Sequence, residues 1–207
     1  MGLVTAAPAN PPRRGRPPSG ESLTRADVVR AAAELVDREG WSALSLAAVA
    51  RVLGRHASSM YAHVGSLDEL RTEIGLLAAQ ELADAVWSAV LGKVGAEALS
   101  AIAEEYRRYA AACPGRTASL AAVDPDDPEF AARMMRLHQP LAATFRSFGL
   151  DDEQASSAHR IFGATINGLV STGGTAETEH AVELFVAAMA TGTWPSPPPK
   201  TKPRRRR

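Results

Sequence analysis

The sequence predicts an all-helical protein. Alanine and other strong helix formers dominate its 207 residues, and valine, isoleucine, threonine and aromatic residues never alternate with polar ones over the length of a strand. Apolar residues instead recur at spacings of three and four in successive segments that end at glycine or proline. A chain of this length can bury a sizeable core, either as one two-part unit or as two small domains.

The first predicted helices include a helix-turn-helix. A capping-box-like start at Thr24 opens a helix whose apolar stripe ends at Gly40. A second helix is expected over about 45–53 and a third over about 57–64, with Gly54 at the turn, where a helix end favours a positive φ. In such a pair the first helix braces the second, and the second can lie in the major groove of DNA.

Small polar and basic side chains surround the second helix of this pair. Small side chains let a helix approach the base edges, while arginine and histidine donate hydrogen bonds to phosphate or guanine. A plain three-helix core without DNA leaves this face unexplained. The predicted DNA-binding residues here are Arg25, Ser45, Arg55, His56, Ser58, Ser59, Tyr61 and His63, although Arg25 is equally compatible with a solvated surface charge.

Both ends of the chain are basic, and the remainder is acidic. Residues 1–20 carry a formal charge of +3 and residues 200–207 carry +6, so the remainder carries −9 because the net charge is zero. An acidic body with basic attachments suits a protein that touches DNA through one small face.

The terminal segments 1–22 and 193–207 are rich in proline and are expected to be disordered. Arg13, Arg14 and Arg16 lie around an Arg-Gly-Arg-Pro core that resembles an AT-hook. Such a segment can enter a narrow A·T minor groove, and these three arginines are therefore candidate DNA contacts. A merely solvated tail is the equally weighted alternative.

Six further helices are predicted beyond Gly65. A capping box at Ser66 opens a helix of about six turns that would join the DNA-binding part to the rest of the chain. Asp127 can cap a later helix with Pro128 in its first turn, and Pro140 should kink that helix. The remaining helices are expected over 96–113, 117–123, 128–148, 152–171 and 176–191.

At the helix-turn-helix the sequence resembles the TetR family of transcriptional regulators. That family keeps the pattern Gly-x-x-x-x-Thr-Leu-Tyr-x-His-Phe-x-x-Lys-Glu-x-Leu. The positions that carry the resemblance here are Gly54, Ser59, Met60, Tyr61, His63, Ser66, Asp68, Glu69 and Leu70. The sequence departs from the pattern at Arg55, Val64 and Leu67, where the family usually has Val or Ile, an aromatic residue, and Lys.

The later part of the chain is similar to one TetR subgroup. The similarity is carried by Tyr-Arg-x-Tyr-Ala at 106–110, Asp-Pro-Asp-Asp-Pro-Glu at 124–129 and Gly-x-x-x-x-Gly-Leu-Val-Ser at 163–171. The resemblance implies a DNA-binding domain over 23–65 and a ligand-binding and dimerisation domain over 66–192. It further implies a homodimer, built by the last two long helices, that represses by binding a palindromic double-stranded operator and is released by a small molecule.

A ligand pocket between the helices should be mostly apolar with a few polar anchors. The candidate lining residues are Trp87, Tyr106, Tyr109, Met134, Met135, His138, Phe162 and Asn167, each of which can also serve as ordinary core. We predict no cofactor. We also predict no metal site, because the five histidines are dispersed and the single cysteine, Cys113, has no partner.

Composition and motifs leave two other classes of protein open. An architectural DNA-binding protein would use the two basic ends without a ligand, and a helical enzyme could place His138 and His159 in a hydrolytic site. The enzyme hypothesis lacks support, because the sequence has no Gly-x-Ser-x-Gly motif, no phosphate-binding loop and no metal-ligand cluster. The absence of a signal-like start and of a long apolar run makes the cytoplasm the expected location.

Overall fold

The computed structural model describes residues 23–191 and Trp194, and this part of the chain is all-helical, as the sequence predicts. A 3₁₀ turn at Trp41–Ala43 joins the first two helices. The helices are α1 (Arg25–Glu39), α2 (Leu46–Val52), α3 (Ala57–Met60), α4 (Leu67–Val90), α5 (Gly95–Ala112), α6 (Pro114–Ser119), α7 (Pro128–Ser147), α8 (Asp152–Ser171) and α9 (Thr175–Ala190).

The first three helices and the start of α4 share one hydrophobic core. We call this part of the protein the head. The capping box at Thr24 is confirmed: its hydroxyl accepts from the amide of Asp27, whose carboxylate accepts from the amide of Thr24. Helix α1 buries one face, and side chains from each following helix cover it. The largest fully buried members are Val28, Val36, Val49, Met60, Val64, Leu70 and Ile74.

The helix-turn-helix forms as predicted, with one difference in length. Gly54 has φ +62°, so this turn uses a conformation that only glycine adopts without strain. The second helix of the pair was expected to run to Val64, but α3 ends at Met60. Tighter bonds follow it, from the amides of Ala62 and His63 to the carbonyls of Ser59 and Met60. This tightening turns Val64 into the core.

The long helix α4 connects the head to the rest of the protein, as predicted. Its 24 residues span about 36 Å, at 1.5 Å per residue. Leu70 belongs to the head core, whereas Leu82 and Val86 belong to the second core. The predicted capping box is only half formed: Ser66 caps the amide of Glu69, but the Glu69 carboxylate accepts from the amide of Gly65 at 2.6 Å.

The second hydrophobic core lies among α4, α5, α7, α8 and α9. We call this part of the protein the body. Asp127 caps α7 and Pro128 occupies its first turn, as predicted. Helix α7 continues through Pro140, whose ring nitrogen cannot donate to the carbonyl of Arg136. The indole of Trp87 donates to that carbonyl instead, at 2.9 Å. A side chain of α4 therefore satisfies the backbone group that the proline leaves without a partner.

The short helix α6 differs from its predicted position. A helix was expected over 117–123 after a break at Pro114, but the helix begins at Pro114 and ends at Ser119. Proline is favoured in the first turn of a helix, where its missing amide costs nothing. Gly115 then lies directly on α1, because a Cβ there would be 2.5 Å from the backbone carbonyl of Val36.

None of the helices in the described part of the chain combines the length and the apolar character that crossing a membrane requires.

The predicted helices of the body otherwise match α5, α8 and α9 to within a residue at each end.

Candidate DNA-binding face and ligand cavity

The exposed side of the helix-turn-helix carries four of the predicted DNA-binding residues. Arg55 and His56 lie in the turn that leads into α3, and Ser58 lies on α3 itself. Tyr61 follows α3 with 64% of its surface exposed, although it is a large hydrophobic residue. Tyrosine combines an apolar ring with a polar hydroxyl and is enriched at interfaces, so this residue is the clearest candidate for contact with DNA.

Two predicted serines already hold the local backbone in place. The Ser45 hydroxyl accepts from the amide of Ala48 at 3.1 Å and caps α2. The Ser59 hydroxyl donates to the carbonyl of His56 at 2.6 Å. Each hydroxyl therefore stabilises the helix-turn-helix from within, and a contact of either with DNA stays a prediction.

Arg25 braces the end of the helix-turn-helix against two other helices. Its guanidinium donates to the carbonyl of His63 at 3.0 Å and forms ion pairs with Glu69 and Glu73 at 2.6 and 2.7 Å. Hydrogen bonds to Glu73 and then to Glu69 raise the pKa of Arg25. This network positions His63, which is half-buried, and occupies the guanidinium that was predicted to reach phosphate.

Arg13, Arg14 and Arg16, the predicted contacts of the amino-terminal segment, lie outside the described residues.

A cavity of about 270 Å³ lies inside the body, between α4, α5, α6, α7 and α8. Five of the eight predicted ligand-binding residues line it: Tyr106, Met134, His138, Phe162 and Asn167. Most of the other lining residues are apolar, and none is an aspartate, glutamate, lysine or arginine. They are Val86, Ile102, Ala103, Thr117, Leu120, Ala121, Leu137, Leu141, His159, Gly163 and Ile166.

Four polar side chains in the cavity form two pairs. The rings of His138 and His159 meet edge to face, with centroids 4.4 Å apart. Burial, and then the charge of His159, lowers the pKa of His138 to about 4, while burial lowers the pKa of His159. The Tyr106 hydroxyl donates to the Asn167 side-chain carbonyl at 2.7 Å, and burial raises the Tyr106 pKa. All four groups are therefore uncharged at neutral pH.

The other three predicted ligand-binding residues do not line the cavity. Trp87 lies on the α7 side of α4, where its indole serves the backbone next to Pro140. Tyr109 is buried and donates its hydroxyl to Glu81 at 2.9 Å, and burial and the charge of Glu81 raise its pKa. Met135 points outward and is exposed. Each has a structural partner or faces solvent, which the helical spacing alone did not show.

His159 is a cavity residue that the predicted lining set missed, although a signal for it exists. His159, Phe162, Gly163, Ile166 and Asn167 follow the three-and-four spacing of a single helix face. Because two of these residues were already predicted to face the ligand, the same face of α8 indicates the other three.

A partly buried ion-pair network joins α6 to the head. The Arg116 guanidinium contacts Asp37 of α1 and Glu81 of α4, each at 2.6 Å, and its backbone amide donates to Asp37 at 2.9 Å. Burial opposes the charged form of Arg116, but its hydrogen bond to Asp37 and the two carboxylate charges outweigh burial and raise its pKa. The Trp41 indole also donates to the Gly115 carbonyl, at 3.1 Å.

Comparisons with known proteins identify the family. A family model described as the tetracyclin repressor-like C-terminal domain matches residues 99–192. An uncharacterized HTH-type transcriptional regulator of Mycobacterium tuberculosis is 32% identical over 178 residues, which cover 81% of this chain and 82% of that protein. This chain belongs to the TetR family. It is therefore a DNA-binding transcriptional regulator and not an enzyme.

Solved structures share its fold. Mycobacterium smegmatis BioQ, and BioQ bound to its natural double-stranded DNA operator, each align with a TM-score of 0.62 and 18% identity. The alignments cover 82% of this chain and 99% of BioQ. Streptomyces coelicolor ActR in complex with actinorhodin aligns with a TM-score of 0.58 and 20% identity, over 83% of this chain and 99% of ActR.

Proposed function

We propose that this TetR-family regulator is a ligand-responsive repressor. In this proposal the protein acts in the cytoplasm as a homodimer that binds a palindromic operator. A small molecule that binds in the body cavity releases the dimer from the operator. One observation carries the proposal. Thr117 of α6 and Leu120, which directly follows α6, line the cavity, while Arg116 of α6 is bonded to Asp37 of the head. A ligand in the cavity would thus press on the helix that is anchored to α1.

The same geometry supports a division of the chain into two domains. We assign residues 23–65 to DNA binding and residues 66–192 to ligand binding and dimerisation, with basic segments at 1–22 and 193–207. Within the first domain, Arg55, His56, Ser58 and Tyr61 present side chains to solvent and are proposed to contact the operator. Family neighbours solved with DNA and with a small molecule support both roles.

The outer surface of α8 and α9 supports a homodimer. Ile161 and Leu184 are 49% and 57% exposed, which leaves large apolar side chains on two adjacent helices without cover. Gly168 has no atom within 4 Å of where its Cβ would lie, so a second helix can approach closely there. A dimer through this face is two-fold symmetric, and a two-fold operator would match it.

DNA footprinting and a point variant test the proposal together. An operator selected from a random DNA library should show a two-fold protected site, and Tyr61→Ala should weaken its binding by about 1–3 kcal/mol. Leu91→Ala is the matched control, because Leu91 is also large and exposed but lies at the far end of α4. Equal affinities of the two variants at matched salt would exclude Tyr61 from the interface.

An architectural DNA-binding protein is the second candidate, favoured by the basic segments 1–20 and 200–207. Such a protein would coat DNA uniformly and would not respond to a ligand. A discrete palindromic footprint therefore contradicts the architectural alternative, and uniform protection contradicts the repressor.

A further inference from the structure

We infer that the body cavity takes an uncharged, elongated ligand with an apolar middle and a hydrogen-bonding group at one or both ends. The inference rests on the proposed function, since it names the class of molecule to which the regulator would respond. Three features of the cavity carry it: the absence of charge in its wall, the position of its two polar pairs, and its volume.

The wall of the cavity offers no counter-charge to a charged ligand. Its residues include no carboxylate, ammonium or guanidinium group. Arg116 lies next to the wall residue Thr117, but its guanidinium is already bonded to Asp37 and Glu81. A carboxylate or an ammonium group beside the half-buried His138 and His159 would lose hydration without gaining a counter-charge, which is unfavourable.

The two polar pairs lie at opposite ends of the α8 wall. His159 and Asn167 are eight residues apart, which corresponds to about 12 Å along a helix. Phe162, Gly163 and Ile166 fill the wall between them. A molecule that uses both ends must therefore be elongated and apolar in its middle.

Each polar pair can both donate and accept hydrogen bonds. A neutral histidine has one donor and one acceptor nitrogen, so the His138–His159 pair offers both functions to a ligand. At the other end, Tyr106 gives its proton to the carbonyl of Asn167. The phenolic oxygen can still accept, and the amide nitrogen of Asn167 can still donate. Hydroxyl and carbonyl groups therefore match both ends.

The volume of the cavity limits the size of the ligand. About 270 Å³ is slightly below the range of about 300–1,000 Å³ that is typical of drug-sized pockets. It corresponds to roughly nine water molecules at about 30 Å³ each. A molecule with two linked rings, or a chain of similar length, is the expected occupant.

Three probes that share a biphenyl body test the inference. They are 4-phenylphenol, which is neutral, biphenyl-4-carboxylate, which is an anion, and 4-phenylbenzylammonium, which is a cation. Calorimetry on the full chain at pH 7.5 should show that 4-phenylphenol binds at least tenfold more tightly than either charged probe. Equal or tighter binding of a charged probe would overturn the inference, as would the failure of all three to bind.

Adjacent methionines provide the matched variants. Met134 lines the cavity, whereas Met135, its neighbour on α7, is exposed. Met134→Trp should fill the cavity and weaken 4-phenylphenol binding at least tenfold, and Met135→Trp should leave it unchanged. Gly163→Leu is a second filling variant, because a Cβ at Gly163 meets no atom within 4 Å. Unchanged binding in a folded filling variant would place the probe outside the cavity and contradict the inference.

Operator binding in the same samples separates this inference from the proposed function. If 4-phenylphenol binds in the cavity but the operator stays bound, the ligand class holds and ligand-induced release is wrong. If biphenyl-4-carboxylate binds in the cavity and releases the operator while 4-phenylphenol does not bind, release holds and the ligand class is wrong.

Discussion

Replacing Arg116 by methionine should loosen the contact between the head and the body. The change keeps an unbranched side chain and removes the guanidinium that bridges Asp37 and Glu81. The side chains of Arg116 and Asp37 are 16% and 11% exposed, and that of Glu81 is 34% exposed. Water can therefore replace the missing guanidinium at Glu81 more easily than at Asp37.

The magnitude follows from the hydrogen bonds that remain in the variant. Asp37 keeps the bond from the backbone amide of residue 116, and Glu81 keeps the bond from the Tyr109 hydroxyl. Each carboxylate thus loses one donor, and a hydrogen bond to a charged group contributes about 1.5–3 kcal/mol when it is buried. After discounting the more exposed Glu81, we expect a decrease of about 2–4 kcal/mol in the free energy of unfolding.

Urea unfolding followed by circular dichroism, at one fixed protein concentration, measures this decrease. Arg71→Met is the matched control, because Arg71 pairs with Asp68 on the surface of α4, where the two side chains are 48% and 87% exposed. Pairs of that kind contribute about 0–1 kcal/mol. If the two variants are destabilised equally to within about 0.5 kcal/mol, the Arg116 network does not stabilise the joint and the reasoning is refuted.

Three further predictions concern the cavity, the dimer and the basic ends. The pKa of His138 is about 4 in the folded protein and about 6.5 in a free side chain, so the unfolded state binds more protons below pH 6.5 and stability falls as the pH falls. Between pH 7 and pH 5 the free energy of unfolding of the wild type should fall by about 1 kcal/mol more than that of His138→Phe, after a discount of the pKa shift for solvent screening. Urea unfolding measures both decreases, and equal decreases would contradict the prediction. Light scattering at micromolar concentration should report a monomer for Leu184→Glu and a dimer for the exposed control Leu91→Glu; a dimer in both would exclude the α8–α9 face. Deleting residues 1–20 should flatten the log-log salt dependence of operator binding more than deleting residues 196–207 does. The slope should fall by about 0.9 for each phosphate that the protein no longer neutralises. The reverse order would contradict the assignment of DNA binding to the first segment.

Local signals explain why most of the fold could be predicted. Asp127 with Pro128, and Asp151 at the start of α8, mark helix starts by chemistry that acts within three residues. The end of α3 was predicted less well, because the tightening after Met60 depends on where the core needs Val64. The start of α6 was missed for a similar reason: Gly115 packs on an α1 backbone almost eighty residues earlier.

The cavity shows the same division between local and distant causes. Phe162 and Asn167 line the cavity from the same face of α8 as His159, and one face of a helix is readable from the sequence. Trp87 is a candidate lining residue from the sequence, but it does not line the cavity. Its partner is the carbonyl that Pro140 leaves without a donor, and no pattern within α4 reveals that need.

Helix α6 shows how a short element can link two functions. Six residues are too few for a stable isolated helix, so contacts on both sides must hold α6 in place. On one side Gly115 touches the backbone of Val36 with no room for a methyl group, and on the other Leu120, at the end of α6, faces the cavity. Close-packed groups of this kind transmit displacement instead of absorbing it. A ligand that moves Leu120 therefore has two possible effects. Either α7 and α8 move to make room for it, or α6 shifts against α1. The second effect would alter the head, which carries the DNA-binding face.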